Sequence, residues 1–278
     1  MSKARKILKS ITPPFIWNGA RALVWPKTKQ YSGDFKTWAE AKALTSGYDT
    51  PLILEKVQSA ALKVKRGEAA YERDSVNFST IEYSWPLLAG LLWIASQNEN
   101  KLSVLDFGGS LGSSYYQNRK FLAHLKSLSW SIVEQKHFVE FGHKNLTDEH
   151  LKFYTDLKEC AVAEKPDVFL LSSVLPYIEK PYEILELVRQ LNLKYIIIDR
   201  TPFFTQPSIL PDRITVQQSS KKIYDASYPA WFLNEHKLLR FLSTDYELIA
   251  DWQALAGKIP LGNVIAEDKG YIYVRKNI

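Results

Sequence analysis

The chain has 278 residues, 46% hydrophobic and 13% aromatic, with 24% charged residues and a formal net charge of +6. That length and apolar content suffice for one α/β domain with a sizeable core and an appended segment, and they exclude a disordered chain. Cys160 is the single cysteine, so no disulfide can close within the chain; no Cys/His spacing suits a zinc site, and a reducing cytoplasm with no bound metal is expected.

The charge is unevenly placed. Residues 1–30 hold Lys3, Arg5, Lys6, Lys9, Arg21, Lys27 and Lys29 and no acid, so the overall +6 less this +7 leaves −1 for the rest. A body without a basic stripe argues against nucleic acid as a partner. The arm interleaves its cations with Ile7, Leu8, Ile11, Phe15, Ile16, Trp17 and Trp25. That mixture suits peripheral contact with an anionic membrane, here the inner face of the cytoplasmic membrane, with aromatics at headgroup level. It equally suits a helix packed on the body with a solvated basic face. No apolar run of 18 residues exists for a membrane span, and the arm lacks the apolar stretch of a secretory signal.

Residues 31–100 read mostly as helix, with apolar positions at helical spacing in TWAEAKALTSGYD, PLILEKVQSAALKVKRG and WPLLAGLLWIA. Asp34 before Trp38 and Thr50 before Pro51 are helix-start signals. This segment is expected to be a helical lid or subdomain, with the charged run Tyr71, Glu72, Arg73 and Asp74 either closing over a ligand or starting a solvated helix.

Residues 101–278 change character. Short β-type runs, LSVLDF, WSIVE, LKFYT, DVFLLSS and KYIIID, alternate with SYYQNRKFLAHLKSL, HFVEFGHKNL, LKECAVAE and PYEILELVRQL. Five strand–helix units in order predict a doubly wound α/β sheet with ligands at the carboxyl ends of its strands. A Pro-rich loop, TPFFTQPSILPDR, a helix near NEHKLLRFL and two last strands, YELIADWQ and GYIYVRK, complete the chain, the last two as an antiparallel pair.

The first of these strands runs into VLDFGGSLG (104–112). Glycine belongs where the backbone turns sharply and where a ligand approaches with no Cβ in the way. Glu134, at the end of the next strand and twenty-two residues after Gly112, is placed to accept hydrogen bonds from both hydroxyls of a ribose. Strand, glycine turn, helix and answering acid together imply a nucleoside-bearing ligand; the alternative is a tight turn with Glu134 as a helix cap.

The NAD fingerprint spaces its glycines as first, third and sixth, whereas this turn reads Asp-Phe-Gly-Gly-Ser-Leu-Gly. That resembles the class I S-adenosylmethionine-dependent methyltransferase motif, acid-x-Gly-x-Gly-x-Gly. Asp106, Gly108 and Gly112 match, Ser110 replaces the middle glycine, and Gly109 fills a variable position. More closely, SGYD (46–49), GEAAYERDSVNF (67–78), VLDFGGSLGSSYYQ (104–117), VEQ (133–135), IIIDRTPF (197–204) and YPAWF (228–232) resemble an uncharacterised family of methyltransferases encoded among bacterial surface-polysaccharide genes. The resemblance covers nearly the whole chain beyond residue 30. It implies a Rossmann-like class I sheet of five parallel units plus an antiparallel terminal pair, S-adenosylmethionine as cofactor and S-adenosylhomocysteine as product. A sugar or glycan precursor, methylated on oxygen, is the implied acceptor.

By analogy with the class, Gly108, Gly109 and Gly112 pass beneath the methionine portion and Glu134 holds the ribose. Gln135 and Asp156 are candidates for the adenine edge, and Ser172 and Ser173 for the sulfonium. Asp106 orients the turn or binds the cofactor amine through water. Each polar member is alternatively a cap or turn former. Asp199 is the candidate base, with Arg200 neutralising it or binding an acceptor carboxylate or phosphate; an Asp–Arg pair that only braces the loop is the other reading. Tyr177, Tyr228, Pro229 and Trp231 are candidates to line an acceptor pocket, and His236 is a second base candidate. The other histidines, His124, His137, His143 and His150, read as surface residues. Two rivals stand beside this reading: an NAD or nucleotide-sugar enzyme on the same sheet, and a methyltransferase-like module without turnover acting as a scaffold at the membrane, with an empty or occluded pocket.

Overall fold

The computed structural model describes residues 30–47, 51–206, 210–219 and 226–276. The cationic arm, apart from Gln30, and Tyr48, Asp49 and Thr50 of the SGYD and helix-start signals lie outside the described residues.

Strands β4 (Lys101–Phe107), β5 (Ser127–Val133), β6 (Leu151–Tyr154), β7 (Val168–Ser172) and β8 (Tyr195–Phe204) form the parallel heart of the sheet, in spatial order β6-β5-β4-β7-β8. Their connections are α4 (Ser113–Leu122), α5 (Lys136–Asn145), α6 (Leu157–Glu164) and α7 (Pro181–Gln190). Beyond β8 come β12 (Val264–Arg275), antiparallel to β8, and β11 (Tyr246–Leu261), antiparallel to β12. This is the expected Rossmann-like class I arrangement, five parallel units and an antiparallel terminal pair. The chain enters at β4, winds outward to β6, then crosses back to β7, so the winding reverses between β4 and β7.

Successive residues along the strands point to opposite faces. Val104, Ile132, Leu170 and Ile197 join one core with α2 (Pro51–Lys65), α3 (Trp85–Ser96), α4 and α5. Their neighbours Leu105, Val133, Leu171 and Ile198 join the other core with α6, α7 and α8 (Glu235–Leu242). Burial on both faces is why these strands read as continuous apolar runs, and each fully buried Leu or Ile stabilises the fold by roughly 1.5–3 kcal/mol. Helix α3 is apolar nearly all round because it lies under the sheet; a Cβ at Gly90 would meet Ile272 Cδ1 at 2.6 Å.

Three segments depart from the sequence reading. Residues 31–100 are not only helical: β1 (Tyr31–Phe35) is an edge strand, the first helix is the short α1 (Trp38–Lys42), and β2 (Tyr71–Arg73) pairs with β3 (Val76–Phe78) in a hairpin. The expected loop starting at Thr201 begins as strand, because β8 runs on to Phe204. The stretch YPAWF, expected in a loop after the fifth strand, is strand: β10 (Ser227–Asn234) pairs with β9 (Arg213–Gln218), which pairs with β1. These strands read weakly because long-range pairing, not local pattern, stabilises them.

Strand β12 keeps one edge of β8 from Tyr195 to Phe203, so β7 and β10 share the other edge in succession: β7 as far as Asp199, β10 at Phe203 and Phe204. At the join, Asp199 and Arg200 together oppose the single residue Gly270 of β12, a β-bulge.

Candidate functional site

The turn after β4 is shaped by three left-handed residues, Gly108 (φ +68°), Ser110 (φ +54°) and Gly112 (φ +99°). Ser110 therefore holds the backbone of the glycine it replaces. At Gly108 a Cβ would also strike Val174 Cγ2 at 2.2 Å, and at Gly109 it would lie 2.5 Å from the Asp106 carboxylate. The turn is pressed onto its own acid from above and against the β7 loop from the side. Helix α4 starts at Ser113, with Gly112 as its N-cap.

Asp106 is buried beneath this turn. Its Oδ2 accepts from the Trp130 indole at 3.0 Å while Oδ1 has no hydrogen-bond partner, and burial pushes its carboxyl up to about 7. An unpaired buried carboxylate oxygen is costly and marks a place where a donor is wanted.

A cavity of about 820 Å³ opens over the turn, at the carboxyl ends of β4, β5 and β7 where the winding reverses. Of the sequence candidates, Gly108, Gly109, Glu134, Gln135, Ser172, Ser173, Tyr177, Arg200, Tyr228 and Pro229 line it. The Glu134 carboxylate accepts from the Gln135 N–H at 2.7 Å. The Ser173 N–H donates to the Asp199 carbonyl at 2.9 Å and ties the end of β7 to the middle of β8. At the far end, the Tyr177 hydroxyl donates to Gln217 at 2.8 Å and its ring meets Tyr228 edge-on.

The charged run at 71–74 is the β2–β3 hairpin beside the glycine turn. Buried Glu72 accepts a short hydrogen bond from the Ser113 hydroxyl, and with Arg73, Asp74 and Ser75 it lines the cavity. Burial raises the Glu72 carboxyl, opposed by the Ser113 hydroxyl.

Other candidates stand elsewhere. Asp156 does not line the cavity: it caps α6, accepting from Glu159 N at 2.8 Å, and its neighbour Thr155 takes the lining position. Trp231 does not line it either, because its indole donates to the Ile178 carbonyl at 3.0 Å and stacks on Trp38. His236 sits on α8 in a separate surface depression with Asp212 and Lys237. Gly112 shapes the turn without lining the cavity.

Asp199 and Arg200 form the bulge, with Arg200 at φ +55°. The Arg200 guanidinium lies 3.8 Å from Asp199 and donates to Ser172 Oγ at 3.2 Å. The buried Asp199 carboxylate also accepts from Ser172 Oγ at 3.3 Å and from the Trp252 indole at 3.2 Å. Burial raises the Asp199 carboxyl, opposed by Arg200 and these donors. Trp252 was no sequence candidate; it reaches Asp199 from β11, 53 residues away, and nothing in YELIADWQ signals it. Among the described residues no group of His, Cys, Asp and Glu could hold a metal ion.

A scan against protein-family models and a search of curated proteins find no match. Similar solved structures include the N-terminal domain of EvdMO1, crystallised in the presence of SAH and D-fucose, at 13% identity and a TM-score of 0.46, with 80% of this chain and 97% of that one covered. Magnesium protoporphyrin IX methyltransferase from Synechocystis PCC 6803, with bound SAM, shares 12% identity at a TM-score of 0.42, covering 80% and 97%. A SAM-dependent methyltransferase from Methanosarcina mazei shares 11% at 0.45, covering 72% and 100%. These likenesses are remote, and the fold assignment stands on the strand order above.

Proposed function

We propose that this chain is an S-adenosylmethionine-dependent methyltransferase that methylates an oxygen of a sugar or glycan precursor. The observation that carries the cofactor is the cavity over the Gly108–Gly112 turn: it lies at the winding reversal, its floor excludes a Cβ at Gly108 and Gly109, and an unpaired Asp106 oxygen lies below. In this reading Gly108 and Gly109 seat the methionine portion, Glu134 accepts from the ribose hydroxyls, and Gln135 stands at the adenine edge. Ser172 and Ser173 border the sulfonium. S-adenosylmethionine, when bound, supplies a methyl group already activated on sulfur. The protein's work is then to orient the acceptor, exclude water and receive a hydroxyl proton, for which the Asp199 carboxylate is the candidate. The choice of a sugar acceptor rests on the family resemblance of the sequence. Turnover is favoured over an inactive scaffold because the cavity is open and Ser110 keeps the glycine backbone. Membrane contact, if made, belongs to residues 1–30; among the described residues no helix is long and apolar enough to cross a membrane.

Calorimetric titration of S-adenosylmethionine and S-adenosylhomocysteine tests the cofactor. Micromolar binding is expected in the wild type, weakened at least about tenfold by Glu134→Ala, because hydrogen bonds to a charged group contribute about 1.5–3 kcal/mol. Failure of the folded wild-type protein to bind either compound would end the proposal.

A further inference from the structure

A second, smaller cavity of about 200 Å³ lies beside Arg200. Arg73 and Arg200 line both spaces, so the two cavities adjoin at these side chains. Asp199 lines the small cavity and Ser172 the large one, and the Ser172 hydroxyl donates to the Asp199 carboxylate at 3.3 Å where they meet. The remaining surface of the small cavity is mostly aromatic. Tyr71 and Trp252 line it, and Tyr83 and Trp85 meet in a tilted contact at 4.8 Å between centroids. Trp85 is 59% exposed and Leu255 53% exposed at its rim, although Trp85 is a large apolar ring at the start of a helix that buries six of its 12 residues.

The charges in this cleft are balanced. Arg73 meets Glu82 at 3.0 Å and Arg200 meets Asp199 at 3.8 Å, so a phosphate or carboxylate would have to compete with an existing partner for either guanidinium. Aromatic faces beside paired donors and acceptors suit a ring that is apolar on its faces and hydroxylated at its edge. The volume falls below the roughly 300–1,000 Å³ of sites for drug-sized ligands and has room for one ring.

We infer that the cleft bounded by Tyr71, Tyr83, Trp85 and Trp252 is the acceptor subsite, and that it takes a single uncharged sugar ring with a hydroxyl directed at Asp199. Its role as acceptor site rests on the methyltransferase reading; its ability to bind a neutral sugar does not. The inference moves the acceptor away from Tyr177 and Tyr228, which line the far end of the large cavity. The raised carboxyl of Asp199 suits a group that receives a proton from such a hydroxyl.

Saturation-transfer NMR on the full chain tests this with the methyl glycosides of glucose, galactose and mannose, beside glucuronate and galacturonate. At least one neutral glycoside should bind, with its affinity lowered about tenfold or more by Trp85→Ala and by Leu255→Arg, both at exposed positions, and changed less than about twofold by Tyr228→Ala. S-adenosylhomocysteine titrated into the same proteins reads the cofactor proposal separately: Trp85→Ala should leave it unchanged, and glycoside binding lost in Trp85→Ala supports the cleft whether or not this ligand binds. The inference is overturned if no neutral glycoside binds, if the uronates bind better, or if Tyr228→Ala abolishes binding that Trp85→Ala spares.

Discussion

The end of β4 and the middle of β8 both place unusual backbone beside the large cavity, and they are built in opposite ways. At the β4 end, left-handed φ values at Gly108, Ser110 and Gly112 come from one contiguous stretch in which two of the three residues adopt them without steric cost. Within β8, Arg200 is left-handed at φ +55° and its neighbour across the sheet, Ser173, at φ +60°, with no glycine at either position. There the conformation is held from outside, by Trp252 of β11, Gly270 of β12 and Ser172 of β7 around the Asp199–Arg200 bulge. A turn whose conformation is intrinsic should fail locally when its glycine is lost; a bulge held by neighbours should fail when a neighbour moves.

The largest effect is expected at Gly108→Ala. Left-handed backbone costs an alanine about 1–2 kcal/mol, and its methyl would overlap Val174 Cγ2, at 2.2 Å, adding about 1–3 kcal/mol of overpacking. A denaturant midpoint lowered by the equivalent of roughly 2–5 kcal/mol, with S-adenosylhomocysteine binding lost, would bear out the intrinsic turn. A loss smaller than that of Gly270→Ala would invert the comparison.

The same contrast explains what could be read in advance. The turn, its acid Asp106, Glu134 and the serines at the end of β7 belong to local patterns, glycines and strand ends, that a sequence displays directly. The doubly wound sheet was legible for the same reason, since burial on both faces makes its strands continuous apolar runs. The bulge was half legible: Asp199 and Arg200 stood at a strand end, but their partner Trp252 lies 53 residues on and is fixed only by the pairing of β11, β12 and β8. Strands β1, β9 and β10 were missed because their stabilisation comes from distant partners, and the β2–β3 hairpin because strands of 3 residues are too short to show an alternating pattern. Asp156 shows the finest limit: a strand end located to within one residue gave the cap in place of its cavity-lining neighbour Thr155.

On the bulge side, Gly270→Ala is expected to cost about 1–3 kcal/mol, because the added methyl would fall 2.1 Å from the Trp252 ring. The indole must swing away and Asp199 then loses its donor. In a Trp252→Ala background the three atoms nearest to that methyl, all of the indole, are gone, so the cost should fall below about 0.5 kcal/mol, and a double-mutant cycle of unfolding free energies measures the difference. Equal costs in the two backgrounds would mean that Gly270 is needed for its own backbone and that the bulge resembles the turn after all.

The smallest effect is the most discriminating. Ser110 is the one left-handed residue of the turn that lacks glycine's freedom, so Ser110→Gly should release about 1 kcal/mol of left-handed strain while adding about 0.5–1 kcal/mol of unfolded-chain entropy. The expected net is a stabilisation of under about 1 kcal/mol, read as a small rise in the denaturant midpoint, with S-adenosylhomocysteine affinity within about twofold because the backbone path is unchanged. A clear loss of stability would mean that contacts of the serine hold this position as neighbours hold Arg200. The turn would then be a second externally supported element, and Gly108 alone would carry its intrinsic geometry.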